Sequence, residues 1–170
     1  KMETTTKLYS LGYKDTKAYL FASLFVAGNI ALPQLAHLVP NGGLTLLPIY
    51  FFTLIAGYKY GIRVGLLTAI LSPVVNSLLF GMPVAAALPL ILIKSGLLAV
   101  GASVAAHYSK NISLGAILAA VLGYQIIGAV CEWAIASDFY AAVQTLRMSI
   151  PGMLIQLFGG YALLKAIAKI

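Results

Sequence analysis

The sequence predicts an all-α integral membrane protein: a compact bundle of six transmembrane helices with both termini cytoplasmic. Three observations predict it. Of the 170 residues, 61% are hydrophobic and only 9% charged, with a mean hydropathy of +0.97, whereas a soluble domain carries about 25% charged residues. The apolar residues fall into six runs divided by Gly, Pro, Asn and charge. The basic residues cluster between those runs on alternate sides.

A helix needs about 20 apolar residues to cross the hydrocarbon core. A polar segment, 1–17, comes first; it carries Lys1, Lys7, Lys14 and Lys17 and does not resemble a cleavable signal peptide. The expected spans follow at 18–39, 44–58, 62–80, 84–108, 113–136 and 149–170, and 18–170 reads as a single transmembrane domain. The second span is short and is preceded by the turn sequence VPNGG, whose Asn-Gly-Gly supplies positive φ. The third contains Pro73 and is expected to kink there. The fourth contains Pro89.

Nine of the eleven basic residues lie on one side of this arrangement: the four lysines of the first segment, then Lys59, Arg63, Lys110, Lys165 and Lys169. Arg147 alone falls on the other side, and Lys94 lies inside a span. The positive-inside rule therefore makes both termini cytoplasmic. The net charge of +7 is accounted for by topology, and no basic stripe with interleaved aromatics points to nucleic acid. A lone cysteine, Cys131, excludes an intrachain disulfide framework. No cluster of His, Cys, Asp and Glu has metal-ligand spacing, so no metal site is expected.

Ionisable and amide side chains inside a membrane are candidates for function, because leaving them unpaired in hydrocarbon is costly. Lys94 lies about 15 Å into the fourth span at 1.5 Å per residue, too deep to snorkel easily. It either meets an anionic or carbonyl group of a substrate, or pairs internally with Glu132 or with a carbonyl freed by a proline. In the fifth span Gln125, Gly128 and Glu132 share one helical face. Trp133 beside them reads as an interfacial anchor or as an aromatic plate for a flat heterocycle. Asn76, three residues after Pro73, points inward and either binds substrate or ties down the kink. Asn41 and His37 belong to the first outer connection, Asp138 and Arg147 to the third, where a lid would sit. Together Asn76, Lys94, Gln125, Glu132 and Trp133 make the expected pocket, with Asn41 at its mouth. A pair of one lysine and one glutamate is thin support for catalysis, so no enzyme activity is expected.

Small residues recur every four positions. Ser23, Ala27 and Ala31 form one ridge of the first span, Ala18 and Ala22 a neighbouring line; Gly57, Gly61 and Gly65 repeat the spacing, as do Gly152, Gln156 and Gly160. Such spacing lets helix backbones approach closely. It serves either internal packing or, for the first span, contact with a separate membrane subunit.

With its alanine-rich first helix and the run LTLLPIYFFTLIAGYKYGIRVGLLTAILSPVVNSLLFG, the chain resembles the substrate-binding S components of energy-coupling factor (ECF) transporters. The resemblance is carried by Leu47 and Pro48 in the second helix and by Gly57, Tyr58, Gly61 and Gly65 leading into the third. It implies high-affinity binding of a water-soluble vitamin or similar micronutrient. It also implies a transmembrane coupling subunit, met through the first-helix ridge, and two ATPase subunits that supply the energy. The chain carries no phosphate-cradling G-x-x-x-x-G-K-[ST] sequence of its own, and no cofactor is expected beyond the ATP of those partners. The setting implied is the inner membrane of a prokaryote. Two other readings stand beside it: a small ion-coupled carrier titrating Lys94 and Glu132, and a noncatalytic assembly subunit.

Overall fold

The computed structural model describes residues 8–40, 42 and 46–168. These fold into α1 (Thr16–Ala36), α2 (Phe51–Tyr60) entered through a 3-10 turn (Pro48–Tyr50), α3 (Ile62–Phe80), α4 (Leu88–Ser109), α5 (Leu114–Ala136), α6 (Phe139–Met148) and α7 (Ile150–Ala166), with no strand among the described residues. Residues Ile155–Gly159 of α7 are wound as a π-helix. Four helices, α1, α3, α4 and α5, are each long and apolar enough to cross a bilayer, which makes the chain a multi-pass membrane protein.

Over the other two expected spans, the described residues form shorter helices, α2 and α7. Helix α2 has 10 residues because both its ends are fixed by backbone geometry. Leu47, at φ 50°, and Pro48 start it, and Gly61, at φ 98°, ends it in a conformation that only glycine adopts freely. Helix α7 is interrupted by its π segment. The fourth span starts at Leu88 rather than 84, with Pro89 in its first turn, where a missing N–H leaves nothing unsatisfied. Helix α6 lies where the sequence predicts an outer connection; Asp138 caps it, its side chain accepting from the Ala141 amide at 3.0 Å.

Short α2 is the axis of the bundle. Its residues Thr53 to Tyr60 are all buried, packed among α1, α3, α4 and α7. Lipid is as apolar as leucine, so close packing and hydrogen bonds, not hydrophobicity, must hold such helices together. Glycine provides the approach: a Cβ on Gly57 would stand 2.8 Å from the Ala99 carbonyl oxygen, and one on Gly65 2.8 Å from the Gly57 Cα. Three backbones, those of α2, α3 and α4, therefore meet at one point. The segment before α1 closes the end of α2: the Tyr9 and Leu11 amides donate to the Lys59 and Tyr60 carbonyls at 2.7 and 3.1 Å. Nearby, the Tyr58 hydroxyl joins Ser109, Asn111 and the Ser113 amide between α4 and α5. One end of the bundle thus gathers the first segment with the α2–α3 and α4–α5 connections. The opposite end gathers the α1–α2 and α3–α4 connections and α6.

Candidate functional site

Two prolines inside helices account for one connected group of buried polar side chains. A proline at position i leaves the carbonyl at i−4 without its amide. Pro33 in α1 frees the Asn29 carbonyl, and Asn76 Nδ2 donates to it at 3.1 Å. Pro73 in α3 frees the Ala69 carbonyl, and the Ser95 hydroxyl of α4 donates to it at 2.9 Å. The Asn29 side chain, fully buried, completes the join: Nδ2 donates to Ser72 Oγ at 2.9 Å and Thr53 Oγ1 at 3.2 Å, while Oδ1 accepts from the Phe52 amide at 3.0 Å. One connected network thereby ties α1, α2 and α3 together.

Lys94 is paired. Its Nζ lies 3.1 Å from Glu132 Oε2, with both side chains mostly buried, and Glu132 Oε1 accepts from the Thr145 hydroxyl at 3.0 Å. The aliphatic stem of Lys94 runs over Gly128, where a Cβ would come within 2.9 Å of Lys94 Cγ. Gly128 is thus a groove for the lysine stem, and the ion pair links α4, α5 and α6. Gln125 belongs to a different cluster: its Nε2 donates to the Tyr124 hydroxyl at 2.8 Å, which donates in turn to Gln156 Oε1 at 2.7 Å on the π segment of α7. Gln156 Nε2 is buried without a partner among the described residues. Trp133 is half exposed, its ring edge-on to Phe139 at 5.1 Å.

A cavity of about 530 Å³ opens at the end of the bundle away from the first segment. Its walls come from the last turn of α1, the α1–α2 connection, the α3–α4 connection and the first turn of α4, with His37 and Asn76 as its polar side chains. Asn76 uses both N–H groups on carbonyls, of Asn29 and Ser72, and so offers the cavity its oxygen. A second depression, about 640 Å³, lies between α4 and α5 toward the other end; its walls are mainly small and aliphatic, with the buried Tyr124 among them. Among the described residues no group of three or more His, Cys, Asp or Glu could hold a metal. No family model, curated protein or solved structure matches the chain.

The residues expected to share one pocket are divided in this structure. Among the described ones, Asn76 lines the cavity; Lys94 and Glu132 neutralise each other, Gln125 bonds to Tyr124, and Trp133 is not in the lining. Asn41 lies outside the described residues. The first-helix surface is also corrected in part. Ala18 and Ala22 are buried against Ala56, Tyr60 and Val64 inside the bundle, so they cannot meet a separate subunit. Ser23, Ala27 and Ala31 remain on the exposed side of α1, Ser23 bonding back to the Tyr19 carbonyl. Sequence reasoning missed Asn29, Ser95 and Thr145. A signal existed for the first two: each in-helix proline announces an orphaned carbonyl, which calls for a donor somewhere on a neighbouring helix.

Proposed function

We propose that this protein is the substrate-binding S component of an ECF-type importer. It takes a small water-soluble molecule, a vitamin or related micronutrient, into the outer cavity and delivers it across a prokaryotic inner membrane. The observation that carries this reading is the cavity itself. At about 530 Å³ it has the size of small-molecule sites, which run to roughly 300–1,000 Å³. Described residues of two interhelical connections line it, and a hydrogen-bonded asparagine lies in its wall. In this reading all six expected segments cross or enter the membrane, α2 and α7 as the short ones, and the end bearing the basic residues faces the cytoplasm. Energy comes from two ATPase subunits through a coupling subunit that docks on the exposed Ser23, Ala27 and Ala31 side of α1. The chain itself performs no catalysis.

The test has two parts. Purified full-length protein in detergent is titrated with a panel of vitamins and precursors, with thermal unfolding as the readout, since a ligand that binds only the folded state raises its stability. A saturable shift from one compound is expected. Uptake of that compound into cells should then require co-expressed coupling and ATPase subunits. Uptake by this chain alone, abolished by a proton conductor, would instead favour the ion-coupled carrier titrating Lys94 and Glu132.

A further inference from the structure

We infer that the groove between α4 and α5 is a binding site for one phospholipid with an anionic headgroup, its tail lying along the groove and its phosphate at the Lys110 end. The inference is independent of what the outer cavity takes.

Every residue lining the groove belongs to α4, α5 or their connection, between 97 and 127. The two backbones lie close together because Gly101 faces Ala120: a Cβ on Gly101 would stand 3.7 Å from Ala120 Cα. Gly101, Gly115 and Gly123, with four alanines, leave a trough of about 640 Å³. Its extent and its polarity decide what fills it.

The groove stops halfway along both helices. On α5 it runs from Ser113 to Ile127, roughly 20 Å at 1.5 Å per residue, and on α4 from Ser109 back to Leu97. The other halves, 88–96 and 128–136, do not line it. One leaflet of hydrocarbon is about 15 Å deep, so the groove has the length of a lipid tail with its glycerol region. A transmembrane helix of another subunit crosses about 30 Å and would need the groove to continue into the second leaflet.

Polarity changes along the groove in the same sense. The deep end is lined by Leu97, Ile127 and Tyr124, whose hydroxyl donates to Gln156 and accepts from Gln125. The other end holds the hydroxyl-bearing Tyr108, Ser109 and Ser113, and the exposed Lys110 lies in the connection between the two serines. Tyrosine suits the interface, with its ring in hydrocarbon and its hydroxyl at headgroup level. A basic residue where two transmembrane helices join attracts anionic headgroups on the cytoplasmic side, and the positive-inside rule turns this end of the bundle to the cytoplasm. A zwitterionic lipid would fit the trough equally well, but its own ammonium offsets its phosphate, so the Lys110 charge selects the anionic one.

The experiment uses full-length protein purified in mild detergent, stripped of lipid and incubated with equal amounts of dioleoyl phosphatidylglycerol and dioleoyl phosphatidylcholine. Native mass spectrometry counts the lipids retained, and thermal unfolding with each lipid alone reports its effect on stability. One phosphatidylglycerol per chain is expected, retained at least about fivefold over phosphatidylcholine and with the larger rise in unfolding temperature. Gly123→Leu fills the groove; a Cβ at Gly123 meets nothing within 4 Å, so the core is left undisturbed. Ala119→Phe fills it a second way, from an exposed lining position. Both variants should lose the retained lipid and the thermal shift while still unfolding cooperatively. Lys110→Asn removes the charge and supplies a residue that tolerates the left-handed backbone found there, φ 58°; it should keep a lipid but lose the headgroup preference. Equal retention of the two lipids by the parent, or of neither, would overturn the inference. So would retention unchanged by both filling substitutions, which would place the lipid elsewhere. A dimer of the parent that both substitutions dissolve would make the groove a contact between two copies of the chain instead.

Discussion

Asn76 Nδ2 donates at 3.1 Å to the Asn29 carbonyl oxygen, the very oxygen that Pro33 leaves without a helical partner. The same device recurs with Ser95 and the Ala69 carbonyl freed by Pro73. Helices α1, α3 and α4 are therefore fastened where their own ladders are broken. Broken helices are tolerated in membranes when neighbouring side chains re-satisfy the backbone in this way. In both cases the fastening belongs to the pair, proline and donor, and not to either residue alone.

This yields a paired prediction. Asn76→Ala should lower stability by about 1–2 kcal/mol, since it orphans a buried carbonyl. In a Pro33→Ala background, where the helix supplies its own amide, the loss should shrink by at least half. Ser95→Ala with and without Pro73→Ala should behave alike. Chemical or thermal unfolding in detergent measures all of these; equal losses in both backgrounds would refute the coupling.

Lys94 and Glu132 invite the opposite design. Removing one partner leaves a charge buried alone, so Lys94→Met should cost about 3–5 kcal/mol. The double substitution Lys94→Met, Glu132→Gln removes both charges and keeps an acceptor for Thr145, and should return to within about 1 kcal/mol of the parent. Because neither residue lines the cavity, the double variant should also keep its ligand affinity. A large loss of affinity in a stably folded double variant would put Lys94 back in the binding site.

The meeting point of α2, α3 and α4 has no slack. Gly57→Ala places a methyl group 2.8 Å from a backbone oxygen of Ala99, so the helices must separate, at about 1–3 kcal/mol. Gly96→Ala is the control, since a Cβ there meets nothing within 4 Å and alanine favours a helix. Gly96→Ala should be neutral or stabilising by the same unfolding measurement.

Sidedness can be read by labelling single cysteines in a Cys131→Ala background. Ser10→Cys and Lys110→Cys should react only when the cytoplasmic face is opened to a membrane-impermeant maleimide. Val84→Cys and Tyr140→Cys should react in intact cells. All four positions are exposed. The reverse pattern would invert the topology, and Ser10 labelling on the opposite side from Lys110 would exclude an even number of crossings between them.

Composition and periodic interruption by charge were enough to determine that the chain is helical and lives in a membrane. Both follow from one-dimensional properties: hydropathy summed over a helix length, and the cost of leaving backbone groups unpaired in lipid. The inward direction of Asn76 and the burial of Lys94 were legible for the same reason, since a polar group in an apolar run must find a partner. Which partner it finds was not. Lys94 reaches Glu132 because Gly128 leaves room for its stem, Asn76 reaches the carbonyl of Asn29, and Ala18 and Ala22 turn inward while Ser23, Ala27 and Ala31 turn out. Those outcomes depend on how each helix is rotated about its axis and which neighbour faces it. Local sequence says little about that rotation, because the helices are apolar on nearly every side, so it was left to the close packing of the whole bundle.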